Sequence, residues 1–388
     1  MNSYSIPEEK EKNIYNEKIF LKVNSYIQNK NTSITKQNTD AIISENDDLS
    51  IRENMVSFLN KNNPAFFEKF DLYEYISSGS VGYVYRGKSK VNKRQIALKF
   101  LINQKHKDKR EEKEKQKENT KKQNLQEIMI SKKLHNKNII EIYAYIKIND
   151  ENNFSVLEYG KHGDLSHFLK HLLRRDVLSE TALNYFGKQI LDALQYLHRC
   201  KIIHMDIKPG NILIDSNLNV KLTDFSVSCS YSSFHPEDLV KFPFVGTNKF
   251  MAPEIISKTN MKIKESEKID IFSFAITLYY LFYGDYPYKL RDVKNKDYEG
   301  ILKNIKQEEL TFPKDRKISG FFKDFLIKTL EKDYTKRLSI EQSLRHPWIQ
   351  GSQILFDEKE NICNQENFLI RLITDDVPKF NKYVNLEK

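Results

Sequence analysis

The chain has 388 residues, 39% of them hydrophobic, and its 63 Lys and Arg against 53 Asp and Glu leave a formal charge of +10. At about 150 residues per domain, this length predicts two to three domains or lobes. The hydrophobic fraction is low for a globular chain, so part of the sequence is expected to lie outside a core. The 12 Gly and 10 Pro exclude collagen-like and elastic proteins, and the 3 Cys are too few for a disulfide framework or a zinc ribbon.

The amino terminus has no apolar stretch of the kind found in secretory signals. The longest apolar run, residues 269–283, is shorter than the roughly 20 residues of a membrane span and predicts a buried core helix. We therefore expect an intracellular protein without a membrane partner, in the cytoplasm rather than the nucleus. The positive charge permits nucleic-acid binding. No basic stripe with interleaved aromatic residues accompanies it, so composition explains the charge better.

Residues 1–70 are rich in Asn, Lys, Ser and Glu and predict a largely disordered, low-complexity extension. Two apolar groups within it have helical spacing and predict amphipathic helices that dock on the domain. The first group contains Ile19, Phe20, Val23, Tyr26 and Ile27, and the second contains Ile51, Met55, Phe58 and Leu59.

From Phe70 the pattern changes to alternating, β-branched and aromatic segments that predict strands over 71–88 and 94–102. Residues 103–124 then hold nine Lys or Arg and five Asp or Glu without an aliphatic residue. We interpret them as a solvated insertion, with a nucleic-acid patch as the alternative. Beyond Leu125, apolar residues recur every three or four positions and predict helices over 125–134, 179–199, 268–284 and 321–333.

The segment from Ile76 to Val84 is a glycine-containing turn between two predicted strands. Backbone approaches phosphate closely only where side chains are absent, which Gly79 and Gly82 provide. A lysine, Lys99, follows Ala97 in the next predicted strand. The lysine is placed to reach phosphates, and the alanine leaves room for a flat ring.

The segment His204 to Asn211 is more specific, because it spaces Asp206, Lys208 and Asn211 at offsets 0, +2 and +5. Asp224 follows a strand-like segment 13 residues later. A carboxylate, an amide and a second carboxylate are oxygen ligands suited to Mg²⁺, which binds few protein groups and keeps phosphates as partners.

With Gly246-Thr247 and Met251-Ala-Pro-Glu254, these motifs make the chain resemble the eukaryotic protein kinases, of the serine/threonine type. The resemblance runs from about Asp71 to Trp348. It implies an α+β, bilobal fold with a small β-rich N-lobe and a larger helical C-lobe. We expect an extension over 1–70, a kinase domain over 71–349, divided at residue 160 and carrying the insertion 103–124 in its N-lobe, and a tail over 350–388.

The resemblance also implies roles. Asp206 would accept or orient the substrate hydroxyl, Lys208 would support the transferring phosphate, and Lys99 would hold the α- and β-phosphates of ATP. Asn211 and Asp224 would bind Mg²⁺. The other residues of the nucleotide site would be Ile76, Gly79, Gly82, Val84, Ala97, Glu127, Leu157, Glu158, Gly160, Asp164 and Leu213.

Three further roles are structural. Glu127 would be the helix partner of Lys99, with Glu118 as an alternative in a shifted register. Glu254 would pair with Arg337, and Asp270 would brace the catalytic loop from its helix. A smaller resemblance, in the long insertion and the residues before Glu254, is to the calmodulin-dependent kinase kinases.

The chain departs from the family pattern at Ser77, Met205 and Ser226. Ser77 replaces the first loop glycine. Met205 replaces an arginine that docks a phosphate, which predicts activity without phosphorylation between Asp224 and Glu254. Ser226 replaces a glycine and narrows the backbone freedom of that segment. The hydroxyls available for phosphorylation in this segment are those of Ser228, Ser230, Ser232, Ser233 and Thr247.

The resemblance predicts an ATP- and Mg²⁺-dependent kinase that acts on Ser or Thr hydroxyls of protein substrates. A kinase-like scaffold with weak or absent catalysis, binding partners through its tails, is the alternative. Either terminal segment is a candidate site for a regulatory partner.

Overall fold

The computed structural model describes residues 45–79, 82–102, 125–148, 152–173, 177–353 and 355–357. These residues form two compact units, one of 45–102 with 142–159, the other of 125–141 with 160–357. The predicted helix around Ile19 to Ile27, the insertion 103–124 and the tail beyond 357 lie outside the described residues.

The first unit is built on a five-stranded antiparallel sheet, as the alternating segments predict. Its strand order is β1-β2-β3-β5-β4. Two helices precede it, α1 (Glu45–Asn62) and α2 (Phe66–Lys69). The strands are β1 (Phe70–Gly79), β2 (Gly82–Ser89), β3 (Gln95–Ile102), β4 (Ile142–Lys147) and β5 (Asn152–Glu158).

One face of this sheet is an aromatic core. Residues opposite each other on neighbouring strands share a face, so Tyr83, Phe100 and Phe154 lie together in register. Phe66 of α2 packs on them, with its ring centroid 5.3 Å from that of Phe154. Helix α1 adds the buried side chains of Met55, Phe58 and Leu59. The helical spacing that predicted a docking helix there is confirmed.

The second unit is mainly helical. A helical segment spans residues 125–131. The later helices are α3 (Leu165–His167), continued by a π-helical turn (Phe168–Leu173), α4 (Glu180–Arg199), α5 (Pro253–Ile256), α6 (Lys268–Tyr283), α7 (Tyr298–Gln307), α8 (Gly320–Thr329), α9 (Ile340–Arg345) and α10 (Pro347–Gln350). Short 3-10 turns lie at Pro209–Asn211, Asn248–Phe250, Ile263–Glu265 and Pro287–Asp292.

Three small antiparallel pairs connect the loops of this unit. They join β6 (Ile202–Ile203) to β9 (Cys229–Ser230), β7 (Ile212–Ile214) to β8 (Val220–Leu222), and β10 (Leu239–Val240) to β11 (Met261–Lys262).

Helices α4 and α6 form the centre of the second core. Helix α4 follows the predicted apolar periodicity, whereas α6 is buried on nearly all sides, as its long apolar run predicts for a core helix. Ser179 caps α4 by accepting the Ala182 N–H at 3.0 Å. Helix α6 ends at Gly284, whose φ of 68° suits a residue without a Cβ. None of the helices in the described part of the chain is long and apolar enough to cross a membrane.

The segment 125–141 belongs to this second unit, although the sequence places it before residue 160 with the strands. The reason is its hydrogen bonding. The Asn138 side chain donates to the Val220 carbonyl and to Gln189, both at 3.0 Å, and the Ile140 N–H donates to the Leu222 carbonyl at 2.9 Å.

Candidate active site

Asp206 is the centre of a hydrogen-bonded group in the second unit. Its carboxylate is 8% exposed and accepts three side-chain or backbone donors. Oδ1 accepts the Thr247 N–H at 2.7 Å. Oδ2 accepts from Lys208 Nζ at 2.7 Å and from Asn211 Nδ2 at 2.9 Å. The predicted trio Asp206, Lys208 and Asn211 is therefore brought together, with the carboxylate held in one orientation.

Asp270 anchors the loop that carries Asp206. This aspartate lies in the first turn of α6 and is fully buried. Asp270 Oδ1 accepts the Met205 N–H and Oδ2 accepts the His204 N–H, both at 2.9 Å. His198 Nε2 lies 2.9 Å from the same Oδ2. Met205 takes a φ of 70°, which L residues rarely adopt, and the Asp270 contact stabilises it. The bracing role implied by the resemblance matches this geometry.

The β7–β8 hairpin brings Asn211 and Asp224 to one end. Ile212 pairs with Leu222, and the Thr223 N–H donates to the Asn211 carbonyl at 3.0 Å. The Asn211 side-chain amide donates to the Asp206 carbonyl at 2.8 Å and to its carboxylate. Its amide oxygen is thus the atom left for a cation. An amide oxygen and the Asp224 carboxylate fit the hard oxygen ligands that Mg²⁺ takes alongside phosphates.

Thr247 is a site residue for which the sequence suggested a different role, as a phosphorylation site. Besides its N–H bond to Asp206, its Oγ1 accepts from Lys208 Nζ at 2.7 Å. Lys208 therefore donates to both Asp206 and Thr247. The sequence did point to the pair Gly246-Thr247. The contacts of Thr247 with Asp206 and Lys208 could not be predicted from it, because they depend on how the chain folds back onto the catalytic loop.

The activation segment, residues 224–254, begins with an unusual backbone conformation at Asp224, where φ is 66°. Ser226, in contrast, is not among the residues with positive φ. Its N–H donates to Asp224 Oδ1 at 3.4 Å. A serine in place of glycine is thus compatible with this arrangement of the segment.

Met205, which stands in place of the expected arginine, has a buried side chain in the second core at 4% exposure. It carries no charge that a phosphate group would bind. The side chain at this position therefore contributes to the apolar core.

In the first unit, four predicted nucleotide residues share the sheet face opposite the aromatic core. Val84 pairs with Lys99, and Ala97 pairs with Leu157, so these positions lie side by side on β2, β3 and β5. Ala97 is 8% exposed, while the other three are half-buried. A small residue between larger ones leaves a shallow space over the middle strand.

Gly82 has a second reason to be glycine. A Cβ at this position would collide with the backbone carbonyl of Phe100 on β3. The close approach of β2 to β3 therefore requires Gly82, in addition to the access to phosphate for which the sequence singled it out. Gly79 pairs with Gly82 at the end of the β1–β2 hairpin. Ile76, on β1, is 43% exposed.

The remaining predicted nucleotide residues divide between the units. Glu158 ends β5 of the first unit. In the second unit, Gly160 lies against Leu213, since a Cβ on Gly160 would come within 2.9 Å of the Leu213 Cβ. Asp164 pairs with Leu213 in a bridge and caps α3 by accepting the Ser166 N–H at 2.8 Å. Glu127 is buried on the 125–131 helix.

The pairing of Glu254 with Arg337 is present in the second unit. Arg337 donates to the two Glu254 carboxylate oxygens at 2.7 and 3.1 Å, and both side chains are almost fully buried. A bidentate pair of this kind holds the end of the activation segment against the start of α6, because Arg337 also donates to the Lys268 carbonyl at 2.8 Å.

Comparison with known proteins agrees with the geometry. A family model described as the protein kinase domain matches residues 70–349. Human death-associated protein kinase 2 is 31% identical over 308 residues, 77% of each chain. The yeast (Saccharomyces cerevisiae) cell cycle serine/threonine-protein kinase CDC5/MSD2 is 33% identical over 235 residues, 61% of this chain and 31% of its own.

An Aurora kinase from Dictyostelium discoideum is 28% identical over 283 residues, which are 73% of this chain and 66% of the Aurora kinase. The chain thus spans most of the human relative but under a third of the yeast relative. With the α+β architecture, the Asp206 group and the family match over 70–349 in place, the chain belongs to the protein kinase family, as a member of the serine/threonine type.

Proposed function

We propose that this protein is an active kinase that transfers the γ-phosphate of ATP to Ser or Thr hydroxyls of proteins, without requiring phosphorylation of its own activation segment. The observation that carries the proposal is the Asp206 carboxylate, fixed by Thr247, Lys208 and Asn211. A carboxylate held in this way is ready to orient an incoming hydroxyl and to take its proton.

Each of the site residues would then have its own role in the transfer. Asp206 positions the hydroxyl, and Lys208 places a positive charge where the transferring phosphoryl group develops negative charge. The lysine on β3, Lys99, would bind the α- and β-phosphates. Asn211 and Asp224 would hold Mg²⁺, which would neutralise phosphate charge. Catalysis of this kind depends on positioning and electrostatics, with no covalent intermediate on the enzyme.

Independence from phosphorylation is supported by contacts that order the activation segment. Glu237 accepts from Lys262 Nζ at 2.8 Å and from Lys264 Nζ at 2.6 Å. These bonds, first that of Lys262 and then that of Lys264, lower the pKa of Glu237 to about 2, so its carboxylate is charged throughout the physiological range. We call Glu237, Lys262 and Lys264 the Glu237 clip.

Backbone hydrogen bonds join the same two segments around the Glu237 clip. Strand β10 pairs with β11, the Lys264 N–H donates to the Pro236 carbonyl at 3.0 Å, and the Ile263 N–H donates to the Asp238 carbonyl at 3.1 Å. Glu237 thus gives Lys262 and Lys264 an anionic partner in the activation segment without a phosphate group. Exposed ion pairs are individually weak, so the clip acts together with these backbone bonds.

The activity test uses the purified full chain with ATP, Mg²⁺ and a generic Ser/Thr-containing protein. We expect phosphate transfer by the wild type and loss of transfer in Asp206→Asn, a nearly isosteric change. Binding of ATP with Mg²⁺ but no transfer by the wild type would favour the scaffold alternative.

The second test addresses the activation segment. Ser228 is 1% exposed and donates to the His204 carbonyl at 3.1 Å, and the Thr247 hydroxyl accepts from Lys208, so both hydroxyls already have partners within the fold. The accessible serines are Ser230, Ser232 and Ser233. Alanine at these three positions should leave the rate of transfer within about twofold of the wild type. A loss of activity that glutamate at the same positions restores would contradict the proposal.

A further inference from the structure

The chain that follows Thr247 lies beside the position of the acceptor hydroxyl, because the Thr247 N–H binds the carboxylate that would orient this hydroxyl. The 3-10 turn Asn248–Phe250 comes next, and the Phe250 N–H donates to the Thr247 carbonyl at 2.9 Å. Lys249 is two residues from Thr247, at most about 7.6 Å away between Cα atoms. A side chain on this turn is therefore within reach of the residues that flank an acceptor Ser or Thr.

Lys249 is held in place by its surroundings. Its ammonium nitrogen lies 5.2 Å from the centre of the Tyr286 ring and donates to the Arg291 carbonyl at 2.9 Å. Burial lowers the pKa of Lys249, while Asp285 and Asp292 act in the opposite direction. Asp285 is itself paired with Arg291 at 3.0 Å. An ammonium has three N–H donors, so a further carboxylate would find a positioned cation here.

The segment that contains this turn has an excess of lysine. Residues 239–258 contain Lys241, Lys249 and Lys258 but a single acidic residue, Glu254, whose carboxylate is buried against Arg337. Within the described part of the chain, none of the three lysines has a carboxylate at salt-bridge distance. Lys258 lies over the Phe244 ring at 5.4 Å.

The catalytic loop adds no acidic group besides Asp206. Gly210 occupies the middle of the loop without a side chain, and a Cβ there would meet only the Lys208 Cε, at 4.0 Å. Asp285 and Asp292 also face Lys249, and Asp285 is paired with Arg291. The excess of lysine in residues 239–258 thus lies next to the acceptor position, and an acidic peptide complements it in charge.

We propose that this kinase selects Ser or Thr residues flanked by Asp or Glu, and that Lys249 is the residue that reads the acidic side chain. The inference rests on the proposed function. The Lys249 ammonium lies over the Tyr286 ring, which belongs to a cluster with Tyr280, 4.8 Å away, and Phe250, 5.5 Å away. This support fixes the ammonium before substrate binds, which reduces the ordering cost of the contact.

The test is a set of serine peptides that differ only within three residues on either side of the acceptor, with Glu, Ala or Lys at each position. The value kcat/KM is measured with the full chain and Mg²⁺-ATP. We expect at least one position at which Glu exceeds Lys by about fivefold or more, the upper range for a solvent-exposed charge pair. Lys249→Met should bring this ratio close to one, Lys249→Arg should keep it, and Lys249→Glu should invert it.

A matched charge reversal, Lys328→Glu on α8, controls for net charge and should leave the ratio unchanged. A wild type that phosphorylates the peptides but prefers Lys at every position, or has no preference, overturns the inference and leaves the proposed function intact. An unchanged ratio in Lys249→Glu overturns the role of Lys249. A wild type that phosphorylates no peptide or protein removes the proposed function and this inference together.

Discussion

Gly246 lies against the carbonyl oxygen of Met205 so closely that a Cβ on residue 246 would come within 2.5 Å of that oxygen. Its φ of 113° is also outside the range that L side chains favour. The activation segment and the catalytic loop touch at this point, and the next residue, Thr247, binds Asp206. The glycine therefore sets the distance between two backbones on which the carboxylate depends.

Gly246→Ala should reduce kcat/KM for phosphate transfer by about 100-fold or more, because the segment must move away from Asp206. Gly320→Ala is the control, since a Cβ there meets nothing within 4 Å. The control should retain activity. An active Gly246→Ala variant would show that the close approach is dispensable.

Thr247→Val should reduce kcat by about 10- to 100-fold, because it removes an acceptor for the charged Lys208 while keeping the backbone N–H that binds Asp206. Thr247→Ser retains the hydroxyl and should stay within a few-fold of the wild type. Steady-state kinetics on one protein substrate compares the two. Full activity in Thr247→Val would show that the hydrogen bond is dispensable, and a loss in Thr247→Ser alone would assign the effect to the methyl group, which valine retains.

Arg337→Met should lower the free energy of unfolding by about 3–5 kcal/mol, since it leaves the Glu254 carboxylate buried without its partner. The neighbouring Lys336→Met breaks only a long, exposed contact to Asp333 at 3.6 Å and should cost less than about 1 kcal/mol. Urea unfolding of the three proteins measures the difference. Similar values for both variants would argue against a structural role for the buried pair.

His346 should make stability depend on pH. Its Nδ1 accepts the Trp348 N–H at 3.2 Å, and its Nε2 lies 2.9 Å from Asp324 Oδ2. Burial lowers the pKa of His346 below 6.5, although Asp324 opposes this shift. The folded state therefore binds fewer protons here, and the stabilisation present above pH 6.5 is lost as pH falls through the lowered pKa.

His346→Asn keeps a capping acceptor that does not titrate. Its free energy of unfolding should fall less than that of the wild type between about pH 8 and about pH 5. Denaturant titrations at a series of pH values follow both proteins. Parallel curves would assign the pH dependence to other groups.

The site residues that lie within one short motif could be predicted from the sequence. Asp206, Lys208 and Asn211 lie within six positions, so their proximity follows from local chain geometry. The contacts of Thr247 and of Glu237 depend on returns of the chain, through Gly246 and the β10–β11 pair, which a linear pattern does not contain. The glycine spacing predicted that Gly82 gives access to phosphate. The structure adds a second reason, because the Phe100 carbonyl on the adjacent strand leaves no room for a Cβ at Gly82.

The aromatic face of the small sheet sets a limit on how far the chain can be shortened. Its cover comes from Met55, Phe58, Leu59 and Phe66, all of which precede the family match at residue 70. A truncation starting at Phe70 would leave Phe154 and its neighbours facing water, at a cost of about 1.5–3 kcal/mol for each large apolar side chain lost from the core. The smallest autonomously stable unit therefore includes α1 as well as the residues that match the family.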